Sequence, residues 1–181
     1  GRSLTEIFKS DKSGRVIPER NHVLICKERN DVGRPNDEGY PIRGIVKDGM
    51  LYLHNFEIDR WPAGVVETGY KDTDDSPTKT AVLATESLPK DKHYFAASFG
   101  KLPADQLFDL KSDPDCMKNL ASTVSFAALK DQLFDELKQQ EDPRLLGNGD
   151  VYDKYPYGNE SKRNFYDRIM RGEKIEATKE E

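Results

Sequence analysis

Cysteine is scarce. The 181 residues hold only Cys26 and Cys116, in neither a zinc-ligand spacing nor a Cys-X-X-Cys pair, so a zinc ribbon and a thioredoxin-like redox centre are excluded and the compartment is left open. Long apolar runs are also missing. No stretch approaches the roughly 20 residues of a bilayer-spanning helix, and no basic start followed by an apolar stretch marks a secretory signal; Gly1-Arg2-Ser3 reads instead as the middle of a longer polypeptide. Histidine is limited to His22, His54 and His93, which fall on separate predicted elements and at no metal-ligand spacing. An excess of one charge is missing as well: 28 basic and 33 acidic residues give −5, with the signs interleaved. That balance argues against a nucleic-acid surface.

What is present is a nearly even division between hydrophobic residues, 35%, and charged ones, 34%. The length allows one domain with a real core, but this composition keeps the core modest and assigns much of the chain to surface and loops. A small core with long loops describes a piece that leans on something else. The nearest approach to a basic cluster, Arg20, Lys27, Arg29, Arg34 and Arg43, is interleaved with Glu19, Glu28, Asp31, Asp37 and Glu38, so a solvated or ion-paired surface competes evenly with an anion site.

Local patterns predict the elements. Leu4, Ile7 and Phe8 recur at helical spacing before a Ser/Asp/Gly loop, and His22–Cys26 is a short β-branched run suited to a buried strand. Ile42–Lys47 and Met50–Phe56 flank Asp48-Gly49, the signature of an antiparallel hairpin with a tight turn. The stretch from Glu57 to Asp91 reads as a long connection with a short helix near Thr78–Glu86, packed on a neighbouring surface through Trp61 and Tyr70. His93–Phe99 and Gln106–Leu110 are expected to add strands to the hairpin's sheet. Phe126, Leu129, Leu133, Phe134 and Leu137 then predict an amphipathic helix laid on that sheet, capped by Ser122 or Thr123. The end, rich in Gly, Asn, Tyr and charge, is expected to wrap or fray, with a short helix at Phe165–Met170.

Several strings extend the reading beyond patterns. They are Gly1-Arg2-Ser3-Leu4, the strand entering Lys27-Glu28-Arg29-Asn30-Asp31-Val32-Gly33-Arg34-Pro35-Asn36-Asp37, Gly39-Tyr40-Pro41-Ile42-Arg43-Gly44-Ile45, Asn55-Phe56-Glu57-Ile58-Asp59-Arg60-Trp61-Pro62 and Thr73-Asp74-Asp75-Ser76-Pro77-Thr78-Lys79-Thr80. The last, Gln106-Leu107-Phe108-Asp109-Leu110-Lys111-Ser112-Asp113-Pro114-Asp115, is followed by Asn119-Leu120-Ala121. In this order they resemble the C-terminal subdomain of sulfatases of the alkaline-phosphatase superfamily, particularly bacterial enzymes similar to N-sulfoglucosamine sulfohydrolase.

The resemblance implies an α+β fold: a small antiparallel sheet of about four strands, a packed C-terminal amphipathic helix and long loops. It divides the chain into the end of a preceding domain (1–20), the subdomain itself (21–142) and a C-terminal extension (143–181). In such enzymes a large N-terminal catalytic domain carries a formylglycine, made from a Cys/Ser-X-Pro-Ser/Ala-Arg motif, and a calcium ion, and the small sheet closes one wall of the substrate cleft. Both groups are expected in that other domain. Here Cys26 is followed by Lys-Glu-Arg and Cys116 by Met-Lys-Asn, so neither is a formylglycine precursor. Sulfate-ester cleavage needs a strong nucleophile, a cation and an acid, so the chain alone is expected to be inactive.

The implied contribution of this chain is substrate binding by Glu28, Arg29, Asn30 and Asp31, in a loop that reaches a sulfated saccharide. The family usually has histidine where Asn30 stands; Asn hydrogen-bonds a hydroxyl but carries no proton or positive charge. Arg34 and Arg43 are further candidates for pairing an anionic glycan, with a solvent-facing Arg43 as the plain alternative. The expected partners are the N-terminal catalytic domain and the sulfated sugar, with no nucleic acid or membrane, and the resemblance places the parent in the periplasm or outside the cell. Two other readings stay open: a non-catalytic glycan-binding or interaction module derived from a sulfatase fragment, and a phosphate-ester hydrolase of the same superfamily.

Overall fold

The computed structural model describes residues 3–29, 33–155 and 162–174. Four antiparallel strands form one sheet in the order β1-β2-β3-β4: β1 (His22–Lys27), β2 (Ile42–Lys47), β3 (Met50–Asn55) and β4 (Asp105–Asp109). β2 and β3 form the expected hairpin. Asp48 and Gly49 take φ of 52° and 85° between the Lys47–Met50 pair, a left-handed two-residue turn that matches strand twist and that glycine adopts at least cost.

The register sets the core. Leu24, Ile45, Tyr52 and Leu107 face one another across the four strands. Onto that row the amphipathic helix places Leu133 and Leu137, with Phe126, Leu129 and Phe134 around them. Tyr52 and Phe126 stack with centroids 5.1 Å apart. Numbering helices along the chain as α1 (Thr5–Phe8), α2 (Pro77–Ala84), α3 (Lys92–Phe99), α4 (Ala127–Gln139) and α5 (Phe165–Met170), the sheet-covering helix is α4. This is the α+β arrangement the sequence implies. Its start differs in detail: Phe126 occupies the cap without a side-chain hydrogen bond, while Thr123 bonds back to Leu120 O. The cap expected from Ser122 or Thr123 is therefore not formed.

His93–Phe99 is not a strand but lies within α3. Its aromatics suggested β structure, yet Phe95 and Phe99 are four residues apart, and as helix neighbours both pack on Tyr70. Ala96 and Ala97 between them favour the helix. The long connection before it also folds. Ser76 accepts from Lys79 N and Pro77 opens α2, a favourable helix start. Trp61 and Tyr70 act as anchors within this chain, in a second cluster with Ala63, Val82, Leu83, Phe95 and Phe99. The loop closes around the buried Lys79 ammonium, which donates to Tyr70 O, Thr73 O and Asp75.

The free edge of β4 is covered. Asn119 Oδ1 accepts from Leu107 N, and Leu120 N donates to Leu107 O, giving the Asn119-Leu120-Ala121 string its role. The opposite side is open. Val23 and Ile25 on β1 are 60% and 40% exposed, α1 buries no residue, and Phe8 is 81% exposed. No helix among the described residues is long and apolar enough to cross a membrane.

Candidate functional site

The loop leaving β1 is pinned at its base. Tyr40 N donates to Glu28 O at 3.0 Å, so the first residue beyond the strand is held by the segment that leads into β2. The Glu28 carboxylate accepts from Arg43 Nη2 at 2.6 Å and from Arg144 Nη2 at 3.0 Å. Arg43, on β2, also donates to Asp142 through Nε at 2.7 Å and Nη2 at 3.1 Å, and its Nη1 reaches Ile42 O and Lys27 O. Its side chain is 2% exposed. Burial disfavours its charge, but the hydrogen bonds it donates to Asp142 and Glu28, with the negative charge of those carboxylates, hold its pKa above the ordinary value.

Arg144 completes the network from the C-terminal segment. Its guanidinium lies over the Tyr152 ring, 5.7 Å from the centroid, and against Gly149, where an added Cβ would come within 2.6 Å of Nη1. The segment after α4 thus folds around a side chain directed at Glu28. Glu57 adds a second carboxylate 3.9 Å from Arg144. Burial, then the Asp142 carboxylate, pushes the Tyr152 hydroxyl above its usual pKa.

Of the four residues expected to touch substrate, Asn30 and Asp31 lie outside the described residues. Glu28 is engaged by the two guanidinium groups. Arg29 donates through Nη2 to Tyr155 O at 2.5 Å, so it too is tied to the C-terminal segment. The expectation that Arg34 and Arg43 assist an anion does not hold, because both guanidinium groups are buried and matched internally. Arg34 donates to Glu38 O and Trp61 O and pairs with buried Asp72. Once fully buried, a guanidinium is held by its carboxylate partner.

The histidines serve separate structural contacts. His22 reaches Glu136 on α4 at 2.9 Å, His54 reaches Asp105 at 2.9 Å, and His93 lies 3.1 Å from Lys90 O. Asp105 also accepts from Tyr52 Oη at 2.6 Å and Lys130 Nζ at 3.1 Å. Burial opposes its charge, yet these donors hold its carboxyl below the usual pKa, while burial and Asp105 push the Tyr52 hydroxyl up.

Among the described residues no group of three or more His, Cys, Asp or Glu side chains is placed to hold a metal. Burial, with Asp113 and Asp115 nearby, raises the Cys116 thiol, the opposite of nucleophile activation. A depression of about 550 Å³ opens on the C-terminal segment, lined by Pro143, Leu146, Asn148, Asp150, Val151 and Lys154.

The residues that sequence reasoning missed are Asp142, the last residue of the expected subdomain, and Arg144, Tyr152 and Tyr155, in the stretch expected to wrap or fray. The only signal was compositional: tyrosine and charge too dense for an idle tail. Ion pairs to Glu28 from two separate segments, β2 and the segment after α4, fix the base of one loop. No protein-family model matches the chain, and no curated protein matches it.

Proposed function

We propose that this chain is the C-terminal subdomain of a sulfatase, supplying one wall of a substrate cleft whose chemistry belongs to a separate N-terminal catalytic domain. The parent hydrolyses sulfate esters or sulfamates of sulfated sugars, with formylglycine and calcium held in that other domain. The parent acts in the periplasm or outside the cell. The observation that carries the reading is the sheet itself. Four antiparallel strands in sequential order bear one amphipathic helix on one face, as the resemblance implies, while Val23 and Ile25 on the edge strand stay exposed. An apolar sheet surface left open suits an element that packs on a partner.

The wall is the loop after β1, held by Glu28 and Arg29 through the contacts to Arg43, Arg144 and Tyr155. Support of this kind favours recognition, because Glu28 and Arg29, already held in place, lose less entropy on binding.

The test is expression of the uninterrupted reading frame that contains this chain, assayed for sulfate release from N-sulfoglucosamine and 4-nitrophenyl sulfate and for phosphate release from 4-nitrophenyl phosphate. Sulfate release, with formylglycine found by mass spectrometry, is the expected result. Phosphate release alone would place the parent among phosphate-ester hydrolases, and release of neither would leave a binding module as the better account.

A further inference from the structure

Asn148 and Gly149 are the only Asn-Gly pair in the chain, and the fold leaves both reacting groups of that pair open. Asn148 is exposed, and its side chain makes no capping hydrogen bond to the short turn that follows, Gly149–Val151. Its backbone is held, since Asn148 N donates to Pro143 O at 2.8 Å and Asn148 O accepts from Val151 N at 3.1 Å. Among the described residues the Gly149 N–H donates to no backbone carbonyl. Gly149 is buried against Arg144, where an added Cβ would lie 2.5 Å from the arginine Cδ. That seat requires a residue without a side chain, and the missing Cβ also lets the Gly149 nitrogen approach the side chain before it.

We infer that Asn148 is a site of spontaneous deamidation and that its product loosens the clamp on Glu28. Asparagine is among the thermolabile residues. The Gly149 nitrogen, after losing its proton to hydroxide, attacks Asn148 Cγ. The new N–Cγ bond closes a five-membered succinimide, the Cγ–Nδ2 bond breaks, and Nδ2 leaves as ammonia with a proton from water. Water then opens the ring at either carbonyl. Opening at Cγ leaves aspartate, whereas opening at the main-chain carbonyl leaves isoaspartate, whose backbone is one carbon longer. No oxidant or cofactor enters. Either product places a new carboxylate beside Glu141 and Asp150, which line the same depression as Asn148, so like charges are crowded together. The longer isoaspartate backbone also displaces Gly149 from its seat on Arg144. Arg144 is the residue that ties this segment to Glu28 at 3.0 Å. The inference is independent of the sulfatase reading, because it needs only the chain and water.

The experiment is incubation of the folded 181-residue chain between pH 7 and pH 9, with tryptic peptides followed by mass spectrometry and isoaspartate detected with protein isoaspartyl methyltransferase. The peptide 145–154 should gain the mass of an amide-to-acid change, at a rate rising about tenfold per pH unit, as for a step that begins from a deprotonated N–H. Asn148→Gln should keep its amide, because its ring would have six members and closes more slowly. The incubated parent chain should show a lower urea midpoint than the fresh one, and incubated Asn148→Gln should not. In Arg144→Met, which lacks the clamp, deamidation should lower the midpoint less than in the parent chain. A peptide 145–154 that keeps its amide throughout overturns the site. Deamidation that leaves the midpoint unchanged, or that lowers it equally in Arg144→Met, overturns the link to the clamp.

Discussion

Glu28 and Arg144, 116 positions apart in sequence, meet with the arginine Nη2 at 3.0 Å from the carboxylate, and through this pair the end of the chain braces the loop that follows the first strand. Arg43 stands on the other side of Glu28 and holds Asp142 as well. Two guanidinium groups and two carboxylates therefore form one connected unit, in which Glu28 is shared by both arginines and Asp142 takes its guanidinium contacts from Arg43.

Arg43→Met should be among the most damaging substitutions. It leaves Glu28 and Asp142 without their shared buried cation, a loss of about 3–5 kcal/mol, read as a lower urea midpoint at an unchanged slope. A midpoint within about 0.5 kcal/mol of the parent chain would mean that the network contributes nothing.

Gly49→Ala tests the hairpin. Its φ of 85° costs a residue with a Cβ about 1–2 kcal/mol, so the melting temperature should fall while the fold persists. Leu133→Ala tests the other side of the core, where a fully buried leucine meets the Ile45–Tyr52–Leu107 row; the expected loss is about 2–5 kcal/mol.

The hairpin and the sheet-covering helix were legible in the sequence because their information is local. Asp48-Gly49 specifies its own turn, and Phe126 to Leu137 repeat at the period of a helix. α3 was misread for a related reason: His93–Phe99 is short and aromatic, and over seven residues aromatic content resembles a strand unless the four-residue spacing of Phe95 and Phe99 is given weight. The clamp was not legible at all. Arg43 pairs with Asp142 across 99 positions and Glu28 with Arg144 across 116, and no local rule joins two charges at such separations in a chain where both signs are everywhere.

Acid should loosen the contact between α4 and the sheet. The Asp105 carboxyl is held below its usual pKa in the folded chain by Tyr52, His54 and Lys130, against the effect of burial. A depressed folded pKa gives stability that is fully present above the unfolded value, about 4, and is lost as pH falls through the folded one. Urea midpoints measured from pH 6 down to pH 3 should therefore decline, and Asp105→Asn should flatten that part of the decline. An unchanged slope in the variant would assign the acid sensitivity to other carboxylates.

The coding DNA immediately upstream of Gly1 bears most directly on what the chain is for. If this is the cleft-closing subdomain of a sulfatase, an open frame of roughly 300 residues, large enough for a catalytic domain, runs into Gly1 and contains a Cys/Ser-X-Pro-Ser/Ala-Arg motif. A stop codon close upstream, or a continuous frame without that motif, would contradict the sulfatase account.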